Sequence, residues 1–230
     1  MTSLFMIGFL IGMRHALEAD HVAAVSALAT NQNSIRQTLK SGAVWGLGHT
    51  ITLFLIGSAV IWIDAAIPAT IAHSLEFLVG IMLVLLGADV LRRVIKDKIH
   101  FHRHKHHGET EHFHAHSHAK QKAHTNEGHQ HQHKEGFPLR FLFVGLMHGM
   151  AGSAALILLT LNTVQTPWEA MLYMLLFGIG SILGMALLSV AIVIPLRSSA
   201  KGLTWLNNGL QTTIGIFTVG LGLNIMYSMA

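Results

Sequence analysis

The stretch LFMIGFLIGMRHALEADHVAAVSALA, residues 4–29, combines two properties that together suggest a fold and a site. It is long and apolar enough to cross the ~30 Å hydrocarbon core of a bilayer as a helix. It also carries five ionisable side chains near its middle. An ionisable group at that depth is costly and is by default a functional candidate. The stretch therefore predicts a membrane helix that contributes to a functional site.

The rest of the 230-residue chain has the same apolar character. Hydrophobic residues make up 51% of it and charged residues 11%, against roughly 25% charged in an average soluble domain. Apolar runs predict six membrane helices, at about 3–29, 41–63, 73–93, 138–162, 168–195 and 204–228. The predicted fold class is an all-α polytopic membrane protein in a lipid bilayer. Because no basic residue precedes the first run, we expect it to be a retained span and not a cleaved signal peptide.

The positive charges orient these helices. Of the fifteen Lys and Arg residues, fourteen lie in or beside the first, third and fifth loops, and only Arg14 lies inside a span. The positive-inside rule then predicts that these loops are cytoplasmic and that both termini lie outside a plasma (inner) membrane. The same distribution accounts for the pI of about 9.6 without a nucleic-acid partner.

Two motifs in the first half of the chain recur in the second. Gly12 to His15 resembles Gly145 to His148 at an offset of 133, and Trp45 to His49 resembles Phe177 to Ser181 at an offset of 132. Each half holds three predicted spans, so the second half must enter the membrane from the opposite side. This pattern predicts two inverted three-helix repeats, which are typical of secondary transporters. The alternative is that glycine-rich helices align with one another easily.

The repeat divides the chain into three parts. Residues 1–93 and 138–230 are the predicted membrane repeats, and residues 94–137 form a histidine-rich segment between them. A third match, at an offset of 135, relates Asp89 in the third span to Asn224 in the sixth. We expect these two residues to act either in a gate or in folding.

The first span concentrates the chemistry. On a straight helix Arg14, Glu18 and His21 share one face, whereas Asp20 points about 140° away from His15. No single face gathers all five residues. Either the helix is opened at this point, or its members serve different neighbours.

These residue types favour a divalent first-row metal ion, because neutral imidazole and carboxylate are ligands for such ions. Single histidines in the second and fourth spans could complete the shell. The predicted metal ligands are His15, Glu18, Asp20, His21, His49 and His148. Arg14 is expected to support the site by pairing with Glu18. The alternative is a buried ion-pair network that only holds helices together.

At this point the sequence resembles a known family. His15, Asp20 and His21 contain the His-x4-Asp-His signature of the nickel/cobalt transporter (NiCoT, or NicO) family, and Gly48-His49-Thr50 is similar to its second-helix motif. The segment from Gly145 to Leu156 is similar to its fourth-helix motif. The resemblance implies transport of Ni²⁺ or Co²⁺ as substrate, with His15, Asp20 and His21 in essential positions. The family's role also gives a slight preference for uptake over efflux.

The segment between the repeats is rich in histidine. Histidine occupies thirteen positions between 100 and 133, and the low hydrophobicity of this stretch predicts disorder. Its closely spaced histidines suit an accessory metal buffer: His102, His104, His106, His107, His112, His114, His116 and His118. The alternative is a dispensable polar spacer.

Other functions compete with this interpretation. The chain could transport another divalent metal such as zinc. In a different class, Ser153 could be the nucleophile of an intramembrane hydrolase with His49 or His148 as its base. No residue supplies an oriented third group, and Ser beside Gly in a span is typical of helix packing. No nucleotide-binding motif is present either. We therefore expect neither enzymatic activity nor a cofactor.

Deleting residues 100–133 tests the buffer hypothesis. If the histidines gather metal, the deletion should shift the dependence of transport on metal concentration, because local capture matters most when metal is scarce. The measurement is transport over a range of nickel concentrations in cells expressing either form at equal level. An unchanged concentration dependence would make the segment a spacer.

Overall fold

Seven helices and one short hairpin make up the described part of the chain. The computed structural model describes residues 2–32, 34–63, 68–96, 100–104, 112–116, 138–163, 166–202 and 204–230. The helices are α1 (Thr2–His15), α2 (Ala19–Ala29), α3 (Ile35–Ile63), α4 (Ala69–Lys96), α5 (Leu139–Thr163), α6 (Pro167–Gly202) and α7 (Thr204–Met229). The strands are β1 (His100–His104) and β2 (His112–His116).

The first apolar stretch forms two helices instead of one. α1 ends at His15, and the backbone turns tightly through hydrogen bonds from Leu17 N–H to the Arg14 carbonyl and from Glu18 N–H to the His15 carbonyl. Glu18 is extended (φ −65°, ψ 148°), and α2 begins at the next residue. Of the two alternatives posed by the sequence, an opened helix is therefore the one that forms.

Four helices are long and apolar enough to cross a membrane: α3, α4, α6 and α7. Their bounds match the predicted runs within a few residues, except that α6 continues past Pro195 to Gly202 and α3 begins earlier, at Ile35. Ser34 caps α3, since its Oγ accepts a hydrogen bond from the Gln37 N–H at 3.0 Å. These helices make the protein an integral membrane protein.

The outer surface is apolar, as a surface in contact with lipid requires. Leu55, Leu85 and Phe143 are each more than 60% exposed although they lie in the interior of their helices. Large aromatic side chains stand exposed at helix ends, as in the interfacial belts of membrane proteins. They are Trp62, Trp168, Trp205 and Tyr227.

α2 lies inside the helix bundle. Eight of its eleven residues are buried, four of them alanine, and it packs between α6, α7 and α4. Small side chains let neighbouring backbones approach closely, which is how helices associate where the surrounding lipid is as apolar as the side chains.

Glycines set the closest helix contacts. A Cβ placed on Gly12 of α1 would collide with the carbonyl oxygen of Phe177 in α6, and one on Gly145 of α5 would collide with the carbonyl oxygen of Trp45 in α3. The two contacts correspond in sequence, because Gly12 and Gly145 are 133 residues apart and Trp45 and Phe177 are 132 apart, the offsets of the predicted repeat.

Other packed pairs show the same correspondence. Between α3 and α6, Gly46 lies against Ile182 and Gly178 lies against Thr50. The repeat offset that relates Trp45 to Phe177 also relates Gly46 to Gly178 and Thr50 to Ile182, so each contact is the counterpart of the other. α4 and α7 run antiparallel through two glycine pairs, Gly80 with Gly222 and Gly87 with Gly215.

The hairpin lies in the histidine-rich segment. Its antiparallel register sets three histidines of β1 opposite three of β2: His100 with His116, His102 with His114 and His104 with His112. Ten of the residues from 94 to 137 are therefore paired strand where the sequence predicts disorder. The expectation for the segment as a whole stays a prediction, because residues 97–99, 105–111 and 117–137 lie outside the described ranges.

The close contacts predict that replacing glycine by alanine changes the stability differently at different positions. Gly12→Ala and Gly145→Ala should each lower stability by about 1–3 kcal/mol, because the added methyl group meets a backbone carbonyl that cannot move aside. Gly209→Ala in α7 is the matched control, since nothing lies within 4 Å of its Cβ position. It should be neutral or slightly stabilising, because Ala favours a helix. Thermal unfolding of the purified protein in detergent measures this, and a Gly12→Ala variant as stable as the control would contradict the packing.

Candidate metal site

Four histidines from four helices meet at the break in the first span. His15 ends α1, His21 lies in the first turn of α2, and His49 and His148 lie within α3 and α5. Their ring centroids are 4.2 Å apart for His21 and His148, 4.4 Å for His15 and His21, and 5.2 Å for His49 and either His15 or His21. His21, His49 and His148 are at most 2% exposed. We call this group the histidine cluster.

Asp20 joins two members of the cluster. Its Oδ1 lies 2.9 Å from His21 Nδ1 and also accepts a hydrogen bond from the backbone N–H of His21 at 2.8 Å. Its Oδ2 lies 2.9 Å from His148 Nε2. The carboxylate therefore bridges α2 to α5, which are 128 residues apart at this contact.

The carboxylates fix which ring nitrogens carry hydrogen. An ionised carboxylate only accepts hydrogen bonds, so the nitrogens facing Asp20 must donate: His21 Nδ1 and His148 Nε2. By the same argument His15 Nδ1 donates to Glu18 Oε1, 2.8 Å away. In neutral rings the opposite nitrogens then carry free lone pairs.

Those opposite nitrogens are buried and lack a hydrogen-bond partner within the described ranges. They are His15 Nε2, His21 Nε2 and His148 Nδ1. Both nitrogens of His49, which faces no carboxylate, are likewise buried without a partner among the described residues. A buried acceptor without a partner costs free energy. A metal ion is the partner that neutral imidazole nitrogens commonly take, with a carboxylate on the opposite nitrogen of the same ring.

The ligand atoms form two overlapping triads. His15, His21 and His49 make one, Asp20, His21 and His148 make the other, and within each triad the ligand atoms lie within 4.8 Å of one another. At a metal–nitrogen distance of about 2.0–2.1 Å, ligands on opposite sides of one ion are about 4.2 Å apart. Three ligands around one ion at that distance are at most about 3.6 Å from one another, so the atoms of either triad would move together by up to about an ångström to hold an ion.

The other two predicted site residues of this stretch, Arg14 and Glu18, lie at the edge of the histidine cluster. Glu18 is mostly exposed and contacts His15, not Arg14. Arg14 is exposed, and no ion pair joins it to Glu18 in the described structure. The expected Arg14–Glu18 pair is thus replaced by a His15–Glu18 pair, because the turn at residues 16–18 folds Glu18 back toward the end of α1.

Two aromatic side chains of the site were not among the predicted site residues. Trp45 is fully buried, with its ring centroid 5.6 Å from that of His21 and 6.0 Å from that of His148. Phe177 contacts His15 at 5.2 Å. The signal was available for Trp45, because it precedes His49 by four residues and therefore shares its helix face.

The remaining predicted residues are the histidines of the proposed buffer and Ser153. Of the histidines predicted as a buffer, His102, His104, His112, His114 and His116 lie in the hairpin, and His106, His107 and His118 lie outside the described residues. The side chain of Ser153, the candidate nucleophile, also lies outside the described part of the chain.

Comparison with known proteins identifies the family of this chain. Residues 1–219 match the NicO family model, described as "High-affinity nickel-transport protein". The chain belongs to the NicO family. It is also 37% identical over 228 residues to the "Urease accessory protein UreH" of Bacillus sp. (strain TB-90), covering 99% of this chain and 92% of that protein. No solved structure matches significantly. Membership of the NicO family confirms the resemblance seen in the sequence and makes nickel transport the family's activity.

Trp45 provides a test of the site. With Trp62, Trp168 and Trp205 replaced by Phe, Trp45 is the single tryptophan, and Ni²⁺ in the histidine cluster should quench its fluorescence. Asp20→Asn should raise the nickel concentration at half-quenching by about 10–100-fold, as expected for loss of a carboxylate that orients metal-binding histidines. His73→Ala, an exposed histidine at the start of α4, is the control and should leave quenching unchanged. Equal quenching in Asp20→Asn and the parent would contradict the assigned role.

Proposed function

We propose that this protein carries divalent nickel across the membrane and binds it in the histidine cluster. The observation that supports this most directly is the set of buried imidazole nitrogens without partners, contributed by α1, α2, α3 and α5. A site built from separate membrane helices can change its access when those helices move.

The charge of the cluster supports a divalent cation. Asp20 and Glu18 contribute two negative charges, and neutral histidines contribute none. Two positive charges would leave the occupied site neutral, which matters because an uncompensated charge in the bilayer interior is costly. Nitrogen-rich ligands also disfavour Mg²⁺ and Ca²⁺, which prefer oxygen.

The choice among first-row metals is left open by these ligands. Imidazole and carboxylate suit cobalt and zinc as well as nickel. The family description favours nickel as the main substrate. Cobalt is the second proposed substrate, and competition between the two metals for uptake would measure the preference.

We further propose that the chain crosses the membrane six times as two inverted repeats. The paired contacts of Gly12 and Gly145 support this, since each places a glycine of one half against the backbone of an aromatic residue in the other. The aromatic contacts of the site follow the same relation: His15 packs on Phe177, and its repeat counterpart His148 packs on Trp45. The cluster then lies between the two halves, where secondary transporters bind their substrates.

In this mechanism one half rocks against the other around the bound cation. The break between α1 and α2 lets His15 and His21 belong to separate rigid helices. The contact of Asp20 with His148 links the halves across the site. Both termini would lie outside and the histidine-rich segment would face the cytoplasm, in keeping with the positive charges near it.

We propose uptake as the direction. The relative's name describes an accessory protein for urease, and a family that transports nickel could serve such a role by bringing the metal into the cell. The histidine-rich segment would then receive the cation on release. Efflux is the alternative outcome of the test below.

Accumulation of radioactive nickel in cells expressing the chain tests the proposed function. The parent should accumulate more nickel than the His15→Ala and His49→Ala variants, because each removes a ligand of one triad. His73→Ala is the matched control and should accumulate as the parent does. Lower accumulation in the parent than in His15→Ala would indicate efflux. No difference for nickel or cobalt would contradict transport through this site.

A further inference from the structure

A second polar cluster lies further along α2 and α5 from the histidine cluster and includes residues of α4. Arg140, in the first turn of α5, places Nη2 3.0 Å from Asp89 Oδ2 in α4. Arg93, one turn after Asp89, places its Nη2 3.5 Å from the same oxygen. That Nη2 also donates a hydrogen bond to Thr30 Oγ1, at the end of α2, over 3.2 Å. The group thus ties α2, α4 and α5 together.

The position of this group relates it to the histidine cluster. Arg140 precedes His148 by eight residues of α5, and Thr30 follows Asp20 by ten residues along α2, which is about 12 Å and 15 Å of helix. α2 and α5 are therefore joined twice, directly by Asp20 and His148 and again, further along, through Arg93 and Asp89. A path opening between α2, α4 and α5 from the site toward the histidine-rich segment would separate the second set of contacts.

The three charged residues of this group have no charged counterparts in sequence. At the offsets that relate the two halves, Asp89 corresponds to Asn224, Arg93 to Ser228 and Arg140 to Ile7. None of these counterparts is ionisable. At these three positions the charges are therefore present in one half of the chain and absent from the other.

We propose that Asp89, Arg93 and Arg140 form a latch that closes the route from the histidine cluster to the cytoplasmic face and releases when the cation leaves on that side. The proposal rests on the proposed transport function. All three side chains are partly exposed. Ion pairs in such surroundings are individually weak, which suits contacts that form and break in every cycle. This assigns Asp89 to a gate. Its sequence counterpart Asn224 is not ionisable and cannot form an ion pair.

A thiol-specific cross-link tests the latch, because the chain contains no cysteine. In Asp89→Cys/Arg140→Cys, a short cleavable bifunctional reagent should bridge α4 to α5 and reduce nickel uptake to the level of His15→Ala. Cleavage of the bridge should return uptake to the level of the same variant before cross-linking, which lies below that of the parent because the Asp89–Arg140 pair is missing. The matched control is Arg92→Cys/Lys96→Cys, two exposed positions one turn apart whose bridge stays within α4 and should leave uptake unchanged. Quenching of Trp45 by nickel should persist in both, since neither bridge touches the histidine cluster.

A charge exchange supplies a second measurement without thiols. Asp89→Arg and Arg140→Asp should each impair uptake, and the double variant should recover part of it because the pair is rebuilt with reversed sign. A formed α4–α5 bridge that leaves uptake intact, or a double exchange no better than the single variants, would overturn the latch alone. Loss of both nickel uptake and Trp45 quenching in the otherwise unmodified chain would instead overturn the proposed function together with the latch.

Discussion

The contacts of one partly buried carboxylate organise the site. Asp20 binds its own neighbour His21 and, across 128 residues of sequence, His148. In an apolar interior both rings must present N–H groups to the carboxylate, so their other nitrogens are left as lone-pair donors. The break in the first span allows this arrangement, because a continuous helix would turn Asp20 and His15 to different sides. The tautomers of His21 and His148 and the joining of α2 to α5 depend on this residue.

Much of this arrangement was predictable from the sequence. Apolar runs gave the positions of α4 and α7 and the start of α6 within a few residues, since membrane thickness fixes the length of a span. The family resemblance is confirmed. His15, Asp20, His21, His49 and His148 were each singled out because ionisable groups are rare inside spans. The structure brings all five together, although whether they bind the metal stays a prediction.

Other features depended on contacts that sequence spacing does not encode. Nothing in Ala16-Leu17-Glu18 marks a helix break, as neither Gly nor Pro occurs there. A straight helix predicts that Glu18 pairs with Arg14. The break between α1 and α2 places Glu18 beside His15 instead. The spacing of Trp45 and His49 places them on one helix face, but the contact of Trp45 with His148 joins distant parts of the chain. Each miss is a tertiary contact overriding a local pattern.

The sharing of His21 between the two triads has a consequence for stoichiometry. One imidazole nitrogen cannot serve two metal ions at once, and His21 Nε2 is the only nitrogen of that ring not engaged by Asp20. An ion held through it by His15 and His49 would therefore exclude a second ion held with His148. A carrier whose triads shared His21 Nε2 would move one ion per turnover, and its rate would saturate along a simple hyperbola with a Hill coefficient near one.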